Sequence, residues 1–293
     1  MIQGSIVALI TPFNEDCSIN FNKLYELIEY QYICGTDALL ILGTTSESST
    51  LSEYEKDRLV EYIINQNNKR MKIIVGVISN VTQTAIEKAL KYEKLGADCI
   101  LVTPPYYNKT NRSGLIKHFK VIACSVKIPV ILYNIPSRTG LNIDRDVICE
   151  LKKVSNIIGV KESNKDIGHI FDVASVCDNK FSLYCGNDEL SYLFLSLGSK
   201  GLINVFGNLE PKMFKNLINI FTINEFLARK YFFMYYELFK ILSVEVNPIP
   251  IKALMNYKGL NVGLYRLPLD IIDENNLKTL IYVYEGNQRN RYH

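Results

Sequence analysis

Eight short runs of apolar and β-branched residues recur between residues 5 and 206, and segments with helical spacing separate them. The runs are continuous rather than alternating, which is typical of parallel strands buried on both faces. Eight alternations of strand and helix at near-even spacing predict an α/β protein with a closed (β/α)8 barrel, the TIM barrel. The runs cover residues 5–11, 38–44, 72–77, 98–103, 129–134, 156–161, 181–185 and 201–206.

The segments between the runs carry helix signals. Residues 52–68 begin with Ser52 and Glu55 at the spacing of a capping box, and residues 82–97 close with Gly96 at a helix end. A doubly wound sheet is the competing fold, but it usually has a glycine-rich phosphate turn after its first strand, and "TPFNED" follows here. Further helical segments cover residues 21–34, 113–125, 143–153, 166–177 and 187–197.

The chain continues after the eighth run for far more residues than one closing helix needs. Residues 224–244 are strongly amphipathic, and three prolines between residues 248 and 268 punctuate shorter helical pieces. We therefore predict a catalytic barrel over residues 1–223 and a C-terminal helical region packed on the barrel over residues 224–293.

Composition argues against several classes of function. The 33 basic and 30 acidic residues give a net charge of +3, and no block of like charge indicates a nucleic-acid or membrane-surface partner. No stretch reaches the roughly 18 apolar residues of a membrane span. The three histidines have no metal-ligand spacing, so we expect no metal and no other cofactor. The seven cysteines contain no CxxC pair and predict reduced thiols in a cytoplasmic protein.

In such a barrel the active site lies at the carboxyl ends of the strands. Lys161 stands at the end of the sixth run, directly after the apolar segment of residues 157–160, and Tyr133 lies at the end of the fifth run, one residue before its last. The strand ends hold no histidine and no carboxylate pair, which argues against hydrolysis and favours imine chemistry. A lysine amine in an apolar setting loses its proton more readily, attacks a ketone and forms a Schiff base, which converts the adjacent carbon into an enamine nucleophile.

Hydroxyl and guanidinium groups at neighbouring strand ends extend this hypothesis. Tyr133 is the candidate proton shuttle, and Thr44 and Tyr107 extend it into a chain of hydroxyl groups. Arg138 offers a planar fork that suits a carboxylate. Each residue taken alone has an ordinary structural explanation, but four strand ends converge on one chemistry.

These residues give the chain a resemblance to the dihydrodipicolinate synthase family, within the pyruvate-dependent class I aldolases. The match runs through "GTTSES", "VTPPYYNK", "ILYNIPSRTG", "IIGVKES" and "VNPIPIKAL" and covers nearly the whole chain. The run "YNIPSRTG" followed by "GVKE" is a specific signal. The resemblance implies condensation of pyruvate with L-aspartate 4-semialdehyde, the first committed step towards diaminopimelate and lysine.

The resemblance also implies the catalytic roles. Lys161 would form the Schiff base with pyruvate, and Tyr133 would donate and accept protons. Thr44 and Tyr107 would complete the relay, with Tyr107 reaching into the site of a neighbouring subunit. The family is commonly a homotetramer, and we expect the same assembly here.

Four further residues would contact the substrates if the resemblance holds. Thr45 would hold the pyruvate carboxylate, and Ile203 would touch pyruvate through its backbone. Arg138 would bind the carboxylate of the second substrate near Gly186.

Several positions depart from the family pattern, including Asn204, Phe206 and Gly207 after the eighth strand. Ser46 replaces a usual glycine and would be strained if the backbone there needs a positive φ. Lys165 stands where the family often has glycine, and Phe206 would narrow the pocket wall. These changes leave the imine machinery intact but bear on the choice of the second substrate.

Regulation by lysine is also predicted to differ. Feedback-sensitive relatives bind lysine at a subunit interface through His and Glu side chains, and the corresponding positions here are Glu53, Lys56 and Thr84. Three other positions match the pattern of those relatives, namely Ser48, Asn80 and Tyr106. The charge of Lys56 repels a cationic ligand, and Thr84 lacks the negative charge of the acidic residue that it replaces. We therefore predict that lysine does not inhibit this protein.

Two alternative functions stay open at this point. Another pyruvate-dependent aldolase, of the N-acetylneuraminate lyase or 2-keto-3-deoxy sugar acid aldolase type, would use the same lysine, although Thr45 and Arg138 favour the synthase. A non-catalytic barrel is the second alternative, and the complete set of reactive residues counts against it.

Overall fold

The computed structural model describes residues 2–291 and contains eight strands that are hydrogen-bonded in chain order and close into a parallel barrel. This closed order confirms the predicted (β/α)8 fold. The strands are β1 Gly4–Ala8, β2 Ala38–Ile41, β3 Lys72–Val77, β4 Cys99–Val102, β5 Val130–Asn134, β6 Ile157–Glu162, β7 Ser182–Cys185 and β8 Gly201–Asn204.

Helices connect successive strands and continue beyond the last one. None of the helices in the described part of the chain combines the length and apolarity of a membrane span. The helices are α1 Phe21–Ile33, α2 Glu53–Asn67, α3 Thr82–Leu95, α4 Arg112–Ser125, α5 Pro136–Thr139, α6 Arg145–Leu151, α7 Ile167–Ala174, α8 Ser191–Ser196, α9 Pro211–Ile223, α10 Glu225–Ile241, α11 Ile249–Tyr257 and α12 Glu274–Arg291.

The strands form because most of their residues are apolar and suit burial on both faces. Every residue of β2, β4, β5, β7 and β8 is buried. The first apolar run stays buried past the end of β1, but the Ile10 backbone N–H donates to Asn208 Oδ1 at 3.0 Å. The predicted strand is therefore longer than β1. The residues after Ala8 are still buried, but at Ile10 the side chain of Asn208 takes the place of the neighbouring strand as hydrogen-bond acceptor.

Capping residues set the helix ends that the sequence indicates. Ser52 Oγ accepts from the Glu55 N–H at 3.3 Å, and the Glu55 carboxylate accepts from the Ser52 N–H at 2.9 Å. Gly96 ends α3 with a left-handed φ of 102°, a conformation that glycine adopts without steric cost. Both predicted helix ends are confirmed.

The chain divides into two compact units, which we describe separately. One contains Lys72–Ile203 with the residues before Gly4; in it, the successive strands from β3 to β7 pair, and α3 packs against α4. The other contains Gly4–Met71 and the chain from Asn204 onwards; in it, α9 packs against β1, and α10 packs against α9 and α12. The boundary that we expected after residue 223 stays a prediction. The last two residues of the predicted C-terminal region, 292 and 293, lie outside the described part.

Candidate active site

Lys161 and Tyr133 lie side by side at the ends of two neighbouring strands. β5 and β6 pair with Tyr133 opposite Lys161, and Lys161 Nζ lies 4.2 Å from the centre of the Tyr133 ring. Each residue exposes only 5% of its surface. No carboxylate within residues 2–291 lies at ion-pair distance from the Lys161 amine. The structure thus places a buried lysine amine, outside any ion pair, against a phenol ring.

Gly186, which follows β7, makes room for the Lys161 side chain. A Cβ atom on Gly186 would lie 3.0 Å from Lys161 Cε, 2.0 Å from Ser163 Oγ and 2.9 Å from the Glu162 carbonyl oxygen. The Gly186 N–H donates to that carbonyl at 2.9 Å. The predicted site residue Gly186 is therefore brought together with Lys161, and only glycine fits there without displacing a neighbour.

The thiol of Cys185 lies near Lys161 but is a poor candidate nucleophile. Cys185 ends β7 and is buried. Burial raises its pKa to about 12, although the nearby Lys161 works slightly in the other direction. The thiol is therefore protonated at neutral pH, and the amine is the stronger candidate nucleophile.

Arg138 carries a guanidinium that is available to an anion. It lies on α5, one turn after β5, and its side chain is exposed. Within the described residues no carboxylate pairs with it. Its role as a substrate ligand stays a prediction.

Ile203 and Tyr107, which were also predicted to belong to the site, differ in burial. Ile203 lies on β8 and exposes 2% of its surface. Tyr107 follows β4, exposes 93% of its surface and has a φ of 65°, which is uncommon for a tyrosine. The structure of one chain therefore does not bring Tyr107 to the buried Lys161–Tyr133 pair.

Thr44 and Thr45 belong to the other compact unit, in the loop after β2. Thr45 is buried, and the Asn247 side-chain amide donates to its hydroxyl at 2.9 Å. Asn247 stands 202 residues away along the chain, so no local sequence pattern could have revealed this contact. The roles of both threonines stay predictions.

A second buried lysine, Lys252 on α11, was missed by the sequence analysis. It is fully buried, and Nζ donates to Glu47 Oε1 at 2.8 Å and to the Thr11 carbonyl at 3.2 Å, with a further bond to the Leu264 carbonyl. Burial lowers the pKa of Lys252, and Glu47 opposes that effect. Because three acceptors surround this amine, it holds the loop after β2 to α11 rather than facing a substrate.

The condition under which Ser46 would be strained is not met, and the expectation that Phe206 narrows the pocket wall was wrong. Ser46 does not have a positive φ; Glu47, beside it, has a φ of 53°. Ser46 instead donates through its hydroxyl to the Leu9 carbonyl at 2.7 Å, which a glycine cannot do. Phe206 is fully buried and packs edge-on against Tyr235 and Phe239 of α10, so it does not line an open pocket.

A further departure, Lys165, lies at the surface. It pairs with Glu189 and leaves its side chain largely exposed. Groups of three or more potential metal ligands are absent from the described residues.

Comparison with known proteins points to one family. The model of the Dihydrodipicolinate synthetase family matches residues 1–284. The 4-hydroxy-tetrahydrodipicolinate synthase of Acetivibrio thermocellus is 44% identical over 280 residues, which cover 94% of each chain. The crystal structure of dihydrodipicolinate synthase from Aquifex aeolicus matches with a TM-score of 0.94 at 38% identity and covers 98% of each chain.

A further solved structure carries one of the expected substrates. It is the chloride-inhibited dihydrodipicolinate synthase from Acinetobacter baumannii complexed with pyruvate, with a TM-score of 0.95 at 35% identity over 98% of this chain and 99% of that one. The family match, the relatives and the solved structures agree on one family. The chain is therefore an enzyme that belongs to the dihydrodipicolinate synthetase family.

Proposed function

We propose that this chain is a 4-hydroxy-tetrahydrodipicolinate synthase, which condenses pyruvate with L-aspartate 4-semialdehyde in the first committed step of diaminopimelate and lysine biosynthesis. The observation that carries the proposal is the Lys161 amine, buried against the Tyr133 ring and outside any ion pair with the described residues. The named relatives support the choice of reaction, and the pyruvate complex of one of them supports the first substrate.

The reaction begins when the unprotonated Lys161 amine attacks the ketone carbon of pyruvate. A C–N bond forms, the ketone oxygen takes up protons and leaves as water, and a protonated imine remains. The positive nitrogen withdraws electrons from the methyl carbon, which loses a proton and becomes an enamine. The enamine carbon attacks the aldehyde carbon of the second substrate, whose oxygen takes up a proton. The amino group of that substrate then adds to the imine carbon, and the Lys161 nitrogen leaves as the ring closes.

Each of these steps moves a proton, and Tyr133 is the residue that we assign to carry it, because its ring contacts the Lys161 amine. We assign Thr44 and Tyr107 as relay partners from their positions in the family motifs. Since Tyr107 is exposed, in this proposal it acts in the site of a neighbouring subunit within a homotetramer.

The remaining residues bind substrate in this proposal. Thr45 holds the pyruvate carboxylate, and the Ile203 backbone contacts pyruvate. Arg138, whose guanidinium is exposed and free of described carboxylates, binds the carboxylate of the second substrate near Gly186. A bidentate guanidinium–carboxylate pair supplies both affinity and orientation.

Turnover with different aldehydes tests the reaction. We expect pyruvate to condense with L-aspartate 4-semialdehyde, Lys161→Ala to be inactive, and Lys165→Ala to retain wild-type activity because Lys165 is an exposed lysine paired with Glu189. Faster turnover with N-acetylmannosamine would assign the N-acetylneuraminate lyase type instead, and turnover with a 2-keto-3-deoxy sugar acid would assign that aldolase type. Inactivity with every substrate would favour the non-catalytic barrel.

Subunit complementation tests the assembly. We expect the wild type to sediment as a tetramer, and Tyr107→Phe to remain a tetramer with lower kcat. Mixing Tyr107→Phe with the inactive Lys161→Ala chain should restore part of the activity, because a mixed pair combines an intact Lys161 with an intact Tyr107 from its neighbour. A monomeric wild type, or no recovery on subunit exchange, would contradict the shared site.

We also infer a cytoplasmic location. All seven cysteines are free thiols, which is typical of proteins in a reducing compartment.

A further inference from the structure

The ends of β5 and β6 carry a second pair of residues on the face opposite to the reactive pair. Tyr133 lies opposite Lys161 in the strand register, and the next position places Asn134 opposite Glu162. Successive side chains on a strand point to opposite faces. Each reactive residue is therefore joined through one peptide bond to a member of the second pair.

Glu162 is a fully buried carboxylate that several parts of the chain hold in place. Its two oxygens lie 3.0 and 2.9 Å from Asn134 Nδ2, and Oε1 accepts from the Asn164 N–H at 2.6 Å. His169 Nε2 lies 3.1 Å from Oε2. Asn134 Oδ1 accepts from the Ile143 N–H at 2.9 Å. The carboxylate thus ties together β5, β6, the loops that follow them, and α7.

These contacts make the backbone around Lys161 difficult to displace. A buried carboxylate is costly unless every oxygen keeps a hydrogen-bond donor. Any shift of residues 161–164 away from the end of β5 would break the hydrogen bonds between the Glu162 carboxylate and the Asn134 side chain. Lys161 would move with them and lose its contact with the Tyr133 ring.

His169 is the titratable member of this group. Burial disfavours its charged form, but the hydrogen bond and charge of Glu162 and the charges of Asp166 and Asp172 outweigh burial and raise its pKa. Asn142 Nδ2 lies 3.1 Å from Nδ1, so the neutral ring also satisfies both nitrogens when Nε2 carries the hydrogen. The thiol of Cys177 lies near Glu162, and burial raises its pKa to about 12, so it adds no charge. His169 therefore donates to Glu162 in both protonation states.

We propose that Glu162 is a positioning residue for the Schiff-base reaction: its carboxylate, bound by Asn134, Asn164 and His169, fixes the ends of β5 and β6 so that Lys161 stays over the Tyr133 ring. The proposal rests on the function proposed above. Glu162 does not contact the substrate in this account. It acts through the geometry of its two neighbours, where a displacement of about 1 Å lowers a rate by about 100-fold.

The test compares kcat per trapped active site, with active sites counted by borohydride reduction in the presence of pyruvate. We expect His169→Leu, which removes one donor, to lower this kcat about 10-fold, and His169→Gln, which restores a neutral donor, to recover most of it. Glu162→Gln keeps the shape but loses the charge, and we expect a loss of about 100-fold. If Glu162→Gln does not fold, the two His169 variants decide the question, because they leave Glu162 in place.

His118→Leu is the matched control, since His118 is a buried histidine on α4 that bonds Thr82. It should lower the free energy of unfolding and leave kcat per trapped site at the wild-type value. Wild-type kcat per trapped site in both His169→Leu and Glu162→Gln would overturn the inference, as would a loss in His169→Leu that His169→Gln does not relieve. A wild-type chain that borohydride does not trap would instead overturn the proposed function, so the two failures are distinguishable.

Protonation of His169 gives a second readout. Because the pKa is raised in the folded chain, the part of the stabilisation that depends on the charge of His169 is complete at pH values below the ordinary histidine pKa and is lost as the pH rises through the raised pKa. The unfolding free energies of wild type and His169→Gln should therefore differ most in acid and converge in alkaline solution. A difference that is constant with pH would show that Glu162 and His169 do not interact in this way.

Discussion

Two lysines are buried among the described residues, and their surroundings differ. Lys252 is paired with Glu47 and bonded to two carbonyl oxygens, whereas Lys161 rests on the Tyr133 ring without a carboxylate. The first arrangement stabilises the fold and occupies the amine. The arrangement around Lys161 leaves its amine free to react. The two lysines are therefore distinguished by their partners and not by residue type.

Replacing each lysine by methionine should separate these roles. Lys252→Met leaves the Glu47 carboxylate buried without its partner, and we expect the free energy of unfolding to fall by about 3–5 kcal/mol. Lys161→Met removes an amine that has no ionic partner, so stability should change by less than about 1 kcal/mol while activity is lost. Urea denaturation and turnover measure both effects. Equal loss of stability in the two variants would contradict the distinction.

Gly186 offers a test of the space around the Lys161 side chain. A Cβ atom there would lie 2.0 Å from Ser163 Oγ and 3.0 Å from Lys161 Cε, so Gly186→Ala must displace Ser163 and crowd Lys161, and we expect it to lower kcat about 10-fold. Gly286→Ala on α12 is the control, because among the described residues no atom other than the backbone of the same helix lies within 4 Å of its added Cβ. We expect that control to stabilise the helix by about 0.5–1 kcal/mol without affecting kcat. Wild-type kcat in Gly186→Ala would show that the site is wider than described.

At the scale of elements, the sequence predicted the strands and helices well but not the contacts between distant segments. The apolar runs identified all eight strands, and Ser52 and Gly96 marked real helix ends. The first predicted strand extends beyond β1 because a run of apolar residues indicates burial, and burial continues beyond the residues that pair with the next strand. The Lys252–Glu47 pair joins residues 205 positions apart, and a single sequence carries no signal for such a pair.

The candidate site shows the same division. Lys161 and Tyr133 were predictable because each ends a recognisable apolar run, and parallel strand ends meet at one edge of a barrel. The Glu162 group was not predictable, because Glu162 follows Lys161 directly and resembles an ordinary polar residue at a strand end. Only the register of β5 and β6 shows that its carboxylate is buried against Asn134.

The junction between α2 and the segment after α11 should respond to acid. Arg266 binds Glu55 through two hydrogen bonds of 2.6 and 2.9 Å and lowers the pKa of that carboxyl to about 2. A depressed pKa gives stability that is present at neutral pH and is lost as the pH falls through the folded-state value. Glu55→Gln should therefore cost about 1 kcal/mol at pH 7.

The difference between wild type and Glu55→Gln should shrink as the pH falls from about 5 towards 2. Glu53→Gln serves as the control, because Glu53 is an exposed carboxylate that pairs with Lys56 in the same helix. Urea unfolding at several pH values measures both variants. A Glu55→Gln difference that persists unchanged in acid would contradict the assignment.

At the scale of the whole molecule, the alternation of strands and helices was enough to predict a closed barrel, because few folds accommodate eight buried parallel strands. The division of contacts into two compact units was not predictable, since it depends on long-range packing rather than on any boundary in composition. Tyr107, exposed in one chain, is the residue whose proposed role requires a second copy.

Insensitivity to lysine is a prediction at this scale. The Glu53 carboxylate already pairs with Lys56 at 2.7 Å, and Thr84 supplies no charge to balance a ligand ammonium. We expect millimolar lysine to leave the steady-state rate unchanged, as an equal concentration of arginine should. A clear fall in rate with lysine but not with arginine would show a specific site and contradict the prediction.

The central claim is that the Lys161 amine captures pyruvate as an imine, and reductive trapping tests it most directly. Treatment with pyruvate and borohydride, followed by mass spectrometry of the digested protein, should add one carboxyethyl group per chain, on Lys161, with none on Lys252 or Lys165. Addition should not occur without pyruvate. An unmodified protein, or a modification on another lysine, would contradict the account.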